Sequence, residues 1–205
     1  LYDQVIEEED LLDRYEDKLG TYLVKLSSSA LSMSDSKEIS TLLHTIGDFE
    51  RLGDHAVNLL KTAKEITDKE IVFSDDAGKE IDTLTDAIQN ILTITVDSFT
   101  SGDLEHAIDV EPLEQVIDEL ITTIKANHIR RLQHGNCTIE LGFVLSDLLT
   151  NYARISDHCS NIAVAMIEVA QNSFDTHEYL NSVKTMENEE FKKRFEGEEI
   201  NKILT

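Results

Sequence analysis

The sequence has few of the residues that interrupt helices. Among its 205 residues there are one proline, Pro112, eight glycines and no tryptophan. Long uninterrupted helices are compatible with this scarcity, because proline and glycine are the strongest local breakers of regular structure. Cysteine is also scarce. Cys137 and Cys159 are too few for a disulfide framework, so we expect a reducing compartment and two buried, small apolar side chains.

Long apolar runs and positive charges are scarce as well. The sequence has no stretch of about 18 apolar residues, the length needed to cross a bilayer, and we identify no signal peptide. Lys and Arg number 18 against 41 Asp and Glu, which gives a formal net charge of -23. Such a protein is repelled by phosphate backbones and by anionic lipid. We therefore exclude DNA, RNA and anionic lipid surfaces as main partners and expect cations to be attracted.

Apolar residues recur at spacings of three, four and seven, which is typical of amphipathic helices. In the first segment this spacing predicts an inward face, made of Val5, Leu12, Tyr15, Leu19, Tyr22, Leu23 and Leu26. No alternating apolar pattern supports a strand, so we predict an all-α fold with six helices. The expected helices cover about residues 1–26, 37–67, 78–100, 104–133, 138–171 and 176–204. Pro112 should kink or restart the fourth of them.

Two stretches of the chain repeat one pattern. Residues 46–58 and 149–161 both contain Arg, an apolar residue, a small residue, Asp and His, with an Asn four residues after the Asp. The two Asp residues, Asp54 and Asp157, lie 103 residues apart. This offset predicts a duplicated unit of about a hundred residues. Since Ser101-Gly102-Asp103 is the clearest break, we predict two repeats, residues 1–101 and 102–205.

Pairs of acids lie on the helices of both halves. Glu50 and Asp54 are four residues apart, so they share one helix face with Cβ atoms roughly 6 Å apart. The same face carries Ile46 and Val57, which directs both carboxylates toward the expected core. Buried unpaired charge is costly or forces protonation. A bound cation removes that cost, so this pair is a candidate metal site.

The preceding helix of each half carries a similar pair. These pairs are Glu9 with Asp13 and Glu114 with Asp118, and the two Asp residues lie 105 residues apart. Acids on facing helices can build a metal site in a bundle. In a chain so rich in acids, most such pairs form a solvated face, so a purely structural helical bundle stays open as an alternative.

Other candidate groups have weaker roles. His55 and His158 follow the key Asp residues by one position and point about 100° away from them, so we expect them behind the ligands or on the surface. Arg51 and Arg154 should pair with neighbouring acids. There is no nucleophilic triad, no phosphate-cradling glycine loop and no Glu-x-x-His pair of the kind used by redox di-iron proteins. We therefore predict that the protein is not an enzyme, with a metal-dependent hydrolase as an open alternative.

The motif around Glu50 resembles a known family signature. Glu50-Arg51-Leu52-Gly53-Asp54, with Asn58 after it, resembles the Glu-Arg-Ile-Gly-Asp signature of PhoU domains, which are phosphate-signalling regulators. Residues 153–161 resemble its second copy. Their Ile-Ser-Asp-His-Cys form is most similar to the PhoU-like region at the C-terminal end of bacterial sodium-dependent phosphate cotransporters. The resemblance implies two tandem three-helix bundles.

The resemblance also implies multinuclear metal clusters, with iron or zinc as typical ions. The first cluster would use Glu9, Asp13, Glu50 and Asp54, and the second would use Glu114, Asp118 and Asp157. Ala153 stands where the signature has Glu, so the second site lacks one carboxylate. We expect it to bind metal more weakly or with fewer ions.

The implied role is a non-enzymatic, metal-binding cytoplasmic domain of a sodium/phosphate cotransporter that modulates phosphate uptake. Its partner would be the membrane-spanning part of that transporter, which would tether it to the inner face of the cell membrane. The alternative is a free-standing PhoU-type adaptor that contacts a phosphate importer and a sensor kinase. A homodimer is left open. The place of a first, motif-free helix would be taken by the sixth helix or by a segment upstream of Leu1.

Overall fold

The computed structural model describes residues 1–171, 200 and 203–204, and this part of the chain is helical without any strand. The helices are α1 (Tyr2–Ser27), α2 (Met33–Asp68), α3 (Asp75–Ser101), α4 (Leu104–Ala107), α5 (Val110–Gln133) and α6 (Ile139–Gln171). The all-α prediction is confirmed. The sixth predicted helix, at about residues 176–204, lies outside the described residues except for Ile200, Ile203 and Leu204.

Serine side chains fix the starts of two long helices. At the start of α2, Ser32 and Asp35 form a capping box, in which each side chain accepts a hydrogen bond from the other residue's backbone N–H. This box starts α2 at Met33, ahead of the predicted start at about residue 37. Ser74 caps α3 by accepting a hydrogen bond from the N–H of Ala77 at 3.3 Å.

The break between the halves is made by glycine, aspartate and proline. Gly102 has a φ of 71°, a conformation that glycine adopts without strain, and it ends α3. Asp103 then caps the short helix α4. Pro112 lies in the first turn of α5, where a missing N–H costs no helical hydrogen bond. The predicted restart near Pro112 is therefore confirmed.

The hydrophobic core lies among α3, α5 and α6, which pack against one another. Each contributes large side chains that are almost completely excluded from solvent, including Leu84, Ile91, Leu113, Ile117, Leu120, Ile124, Leu145, Leu149 and Ile162. A buried ion pair joins α3 to α5. Arg131 donates hydrogen bonds of 3.0 and 2.8 Å to Glu80, and Asn127 donates a third of 2.8 Å. The apolar packing among α3, α5 and α6, together with this ion pair between α3 and α5, holds the three helices as one bundle.

The helix α3 lies in the first predicted repeat by sequence, yet it packs against α5 and α6 of the second. The long helices α2 and α6 also pack closely, across the predicted boundary. They run antiparallel, because His55 on α2 contacts Asn151 while the earlier residue Asp48 contacts the later residue His158. The division at residue 101 stays a prediction.

The helix α1 packs on α2 and leaves much of its apolar face exposed within the described part of the chain. Of the predicted inward face, Leu23 is buried, but Tyr15 and Tyr22 are 55% and 60% exposed. The prediction that this whole face turns inward is therefore wrong for the described residues. The physical reason is that one neighbouring helix covers only one side of α1.

Candidate functional site

The close approach of α1 to α2 occurs at the acidic motif. A Cβ atom at Gly53 would lie 2.9 Å from Leu12 Cδ1 and 3.6 Å from Glu9 Cγ. A Cβ atom there would require Leu12 Cδ1, the end of a partly exposed side chain, to turn away, so glycine lets α1 lie this close without displacing Leu12. The small residue of the signature therefore brings Glu9 beside the carboxylates of α2.

Electrostatic effects show that acids of the two helices face each other. Burial raises the pKa of Glu9, and the nearby carboxylates of Asp13, Asp10 and Asp54 raise it further, against the opposing effect of Lys61. Asp54 belongs to α2, so its charge reaches Glu9 across the contact between the helices. The structure thus brings Glu9 of α1 near Asp54 of α2, as a metal site shared by the two helices would require.

The pKa of Glu50 shows the same interaction from the other side. Burial raises it first and the Asp54 carboxylate second, while the Arg51 guanidinium opposes them. The charges of Asp13 and Glu16 on α1 raise it further. Each helix thus makes it harder to ionise an acid on the other, which is an arrangement that a shared cation would relieve.

The donor set is chemically suited to a cation, but its side chains are not gathered into a closed site. Glu9, Glu50 and Asp54 are half-buried, and Asp13 is exposed. Among the described residues, no group of three or more His, Cys, Asp or Glu side chains is set for metal coordination. The carboxylates would therefore have to turn toward a common point to hold an ion. The metal assignment of these four residues stays a prediction.

The corresponding acids of the second half have different surroundings. Arg154 donates a 3.1 Å hydrogen bond to Asp157 on the same helix, which confirms the predicted pairing of this arginine with an acid. Ala153 packs against the hydrophobic core, so a methyl group fills the place of a carboxylate. On α5, Glu114 is half-buried and Asp118 is exposed. Their assignment to a second metal site also stays a prediction.

The two histidines join α2 to α6. His158 Nδ1 lies 2.9 Å from Asp48 Oδ1, and His55 Nδ1 lies 2.9 Å from Asn151 Oδ1. The two rings stack with their centroids 5.6 Å apart. Asp48 and Asn151 each precede the histidine of their own motif by seven residues. Each motif therefore binds the other in a reciprocal way, which we call the histidine clasp.

The repeated pattern does not predict the clasp, although all four of its residues lie within the two repeats. Asp48 and Asn151 occupy equivalent places in the repeated stretch, but the pattern does not reveal that each faces the opposite motif. The side chains of His158 and Asp48 are only 13% and 15% exposed. Of the two places expected for the histidines, behind the ligands or on the surface, the surface is thus excluded for His158. Asn161 also reaches Asp48, with its Nδ2 3.3 Å from Oδ1.

The cysteine prediction is correct for one residue of the two. Cys159 is fully buried, and burial raises the pKa of its thiol to about 11, which keeps it protonated and inert. Cys137 is half-buried instead, in the connection before α6, with its Sγ atom 3.4 Å from His128 Nδ1. This connection is short and lies at the end of the bundle, so it cannot enclose a side chain as the core does.

The PhoU domain pattern matches residues 1–63 and 81–166 of the chain, which include both acidic motifs and most of the helical part. This chain belongs to the PhoU domain family. The signature glycine Gly53 and the clasp therefore belong to a PhoU domain.

Known proteins of this family resemble the chain over much of its length. It is 23% identical over 175 residues to the phosphate-specific transport system accessory protein PhoU homolog 1 of Thermotoga maritima, covering 82% of this chain and 73% of the relative. It is 29% identical over 114 residues to the accessory protein PhoU homolog of Caulobacter vibrioides, covering 56% of this chain and 49% of the relative.

A solved structure shows the same fold. The crystal structure of PhoU from Pseudomonas aeruginosa superposes with a TM-score of 0.75 at 21% identity, covering 84% of this chain and 82% of that one. Both curated relatives above are named as transport-system accessory proteins and not as cotransporters. The cotransporter expectation therefore gains no support from them. Among the described residues of this PhoU domain, no helix is long and apolar enough to cross a membrane.

Proposed function

We propose that this chain is a non-enzymatic, PhoU-type accessory protein that regulates a phosphate-specific transport system from the cytoplasm. The observation that carries the proposal is the family match, which covers both motif-bearing helices. The names of the related accessory proteins support it. The partner would be the transporter itself. A cytoplasmic domain of a sodium-dependent cotransporter ranks second, supported by the Ile155-Ser156-Asp157-His158-Cys159 form of the second motif.

A regulatory role can be tested by phosphate uptake. In source cells whose copy of this gene has been deleted, we expect phosphate uptake to lose its response to external phosphate. Re-expression of the chain should restore the response. Uptake that responds normally in the deletion strain would contradict the proposal. The reading frame upstream of Leu1 separates the two candidates, because membrane-spanning helices encoded there would decide for the cotransporter.

The second part of the proposal is a metal site at the contact of α1 with α2. Glu9, Asp13, Glu50 and Asp54 would hold the ion. Four carboxylates offer only oxygen donors, which suit hard cations, and the family resemblance adds iron or zinc as candidates. The raised pKa values of Glu9 and Glu50 support a cation here, since a positive charge would favour the ionised forms. When bound, the ion would neutralise the acids and link the two helices.

The second half should bind metal more weakly. Arg154 already neutralises Asp157, and Ala153 supplies no oxygen. Its remaining candidate ligands, Glu114 and Asp118, lie on α5. Asp118 also lines a cavity together with Leu204. Fewer charges therefore remain for an ion to compensate.

Elemental analysis of the purified protein tests the metal site. We expect Glu50→Ala and Asp54→Ala to lose most of the bound iron or zinc. Glu38→Ala is the matched control, because Glu38 is an exposed acid on the same helix, and it should keep the wild-type content. Equal metal content in all four proteins would contradict the site. Circular dichroism confirms that each variant stays helical.

A further inference from the structure

A groove of about 620 Å³ lies between α2 and α6, and none of the proposed metal ligands lines it. Three of its lining residues, Lys37, His44 and Arg51, are spaced by seven along α2 and therefore share one side of the helix. Ser40 adds a polar group between Lys37 and His44 on α2, and Asn161 adds one from α6 on the opposite side. The groove thus carries a row of groups that donate hydrogen bonds and bear or accept positive charge.

This row is unusual in so acidic a chain. Lys and Arg number 18 against 41 Asp and Glu in the whole sequence, yet two of these cations and a histidine line one groove. Two acids line it as well. Asp48 is engaged by His158 and Asn161, and the antiparallel register places Glu168 near the Lys37 end. The groove therefore holds two cations and a histidine against two acids, with the cations and the histidine along one side of α2.

A glycine that packs against nothing in the described part of the chain, Gly47, lies between His44 and Arg51 on α2. A Cβ atom at Gly47 would meet no atom within 4 Å among the described residues, whereas one at Gly53 on the same helix would lie 2.9 Å from Leu12 Cδ1. Glycine inside a helix costs about 0.5–1 kcal/mol relative to alanine. Packing does not repay that cost at Gly47. A glycine here keeps the floor of the groove open and lets a ligand approach the backbone.

We propose that this groove binds a small polyanion, an inorganic polyphosphate or a nucleoside triphosphate. The guanidinium of Arg51 can form two parallel hydrogen bonds to a phosphate group, and the imidazole of His44 can donate a hydrogen bond further along the ligand. The volume lies within the usual range of about 300–1,000 Å³ for small-molecule sites. Leu43, Val164 and Ala165 also line the groove and offer apolar contact to an organic part of such a ligand.

The proposal goes beyond the regulatory role, because the site is separate from the acid cluster. Isothermal titration with sodium tripolyphosphate and with ATP, at constant ionic strength and with chelator present, tests it. We expect saturable binding of at least one probe, and the preferred probe identifies the ligand as inorganic or organic. Arg51→Gln should weaken binding about tenfold or more, since it removes a charged bidentate contact. Lys64→Gln is the matched control, as Lys64 is exposed on α2 outside the groove, and it should bind as the wild type does.

A second variant separates ligand binding from folding. Gly47→Leu fills the groove at a position with free space, and it replaces glycine by a good helix former, so it should bind neither probe while melting at or above the wild-type temperature. Gly78→Leu is its control, because Gly78 also has free space but lies on α3. The proposal is overturned if the wild type binds neither probe, or if Gly47→Leu and Arg51→Gln bind as the wild type does. Glu50→Ala should keep anion binding while losing metal, so the two sites can fail independently.

Discussion

The two halves of the molecule carry one motif in two electrostatic settings. In the first half, Glu50 and Asp54 interact unfavourably with the acids of α1, and the pKa of Glu50 is raised. In the second half, Asp157 is paired with Arg154, and Ala153 replaces the other acid. The two faces thus differ in that carboxylates repel one another in the first half, whereas an arginine offsets the remaining carboxylate in the second. Sequence similarity between the repeats therefore does not give their acids the same electrostatic surroundings.

The helices that precede the two motifs, α5 and α1, differ in how much of their apolar face is buried. α5 is enclosed by α3 and α6, and Leu120 is fully buried. α1, its counterpart in the first half, packs on α2, and Leu19 remains 45% exposed within the described part of the chain. The apolar spacing is similar in both helices. The number of neighbouring helices, and not the pattern, decides how much of the stripe leaves water.

The largest expected effect tests this difference in burial. Leu120→Ala should lower the free energy of unfolding by about 2–5 kcal/mol, because it leaves a cavity in a closed core. Leu19→Ala should lower it by less than about 1 kcal/mol, since much of that side chain is already in water. Urea denaturation followed by circular dichroism measures both. Equal losses would mean that α1 is covered as fully as α5 in solution.

An intermediate effect is expected from the two glycines of α2. Gly53→Ala should leave stability nearly unchanged or lower it by up to about 1 kcal/mol, because its Cβ would lie 2.9 Å from Leu12 Cδ1 and force that partly exposed side chain to turn. Gly47→Ala should instead stabilise it by up to about 1 kcal/mol, since free space surrounds that position. The same urea titration gives both values. If Gly53→Ala stabilised the protein as much as Gly47→Ala, α1 would not lie this close to α2.

The smallest effect concerns the pH dependence of the first acid group. Glu50 binds a proton more readily in the folded protein than in the unfolded chain, because its pKa is raised above the usual 4.5. Stability should therefore fall as the pH rises from about 4.5 through the raised pKa. With chelator at neutral pH, Glu50→Gln should raise stability by a few tenths of a kcal/mol, because one like-charge pair is lost. Thermal melting across this pH range measures the change.

Added metal should reverse the sign of that difference. With saturating zinc or iron, the wild type should gain more stability than Glu50→Gln, because only the wild type keeps the full set of carboxylates. Asp157→Asn in the second half should change the metal response much less. Identical melting shifts in the three proteins would contradict the contrast between the halves.

Local rules of sequence predicted most of the helical architecture. Apolar spacing placed the helices, and the residues at positions 101–103 and Pro112 marked a real break. The acid pairs at Glu9 and Glu50 were placed on facing helices, because acids four residues apart share a side and the halves repeat. These inferences succeed because they depend on neighbours within one or two turns of the same helix.

Contacts between distant parts of the chain could not be predicted in this way. His55 and Asn151 are 96 residues apart, and His158 and Asp48 are 110 apart. The bond between the Ser160 hydroxyl, as donor, and the buried Glu111 carboxylate also joins two helices. The exposure of α1 escaped prediction for a related reason. A periodic stripe tells which side of a helix is apolar, but not how many helices lie against it.

The histidine clasp has a consequence for how the two long helices can move. His158 is held by Asp48, which lies seven residues before His55, and His55 is held by Asn151, which lies seven residues before His158. The two contacts are therefore equivalent when the motifs are exchanged by a half-turn. Sliding α2 along α6 by even one helical turn, about 5.4 Å, would break both ring hydrogen bonds at once. The pair therefore acts as a symmetric latch that favours a single alignment of α2 with α6.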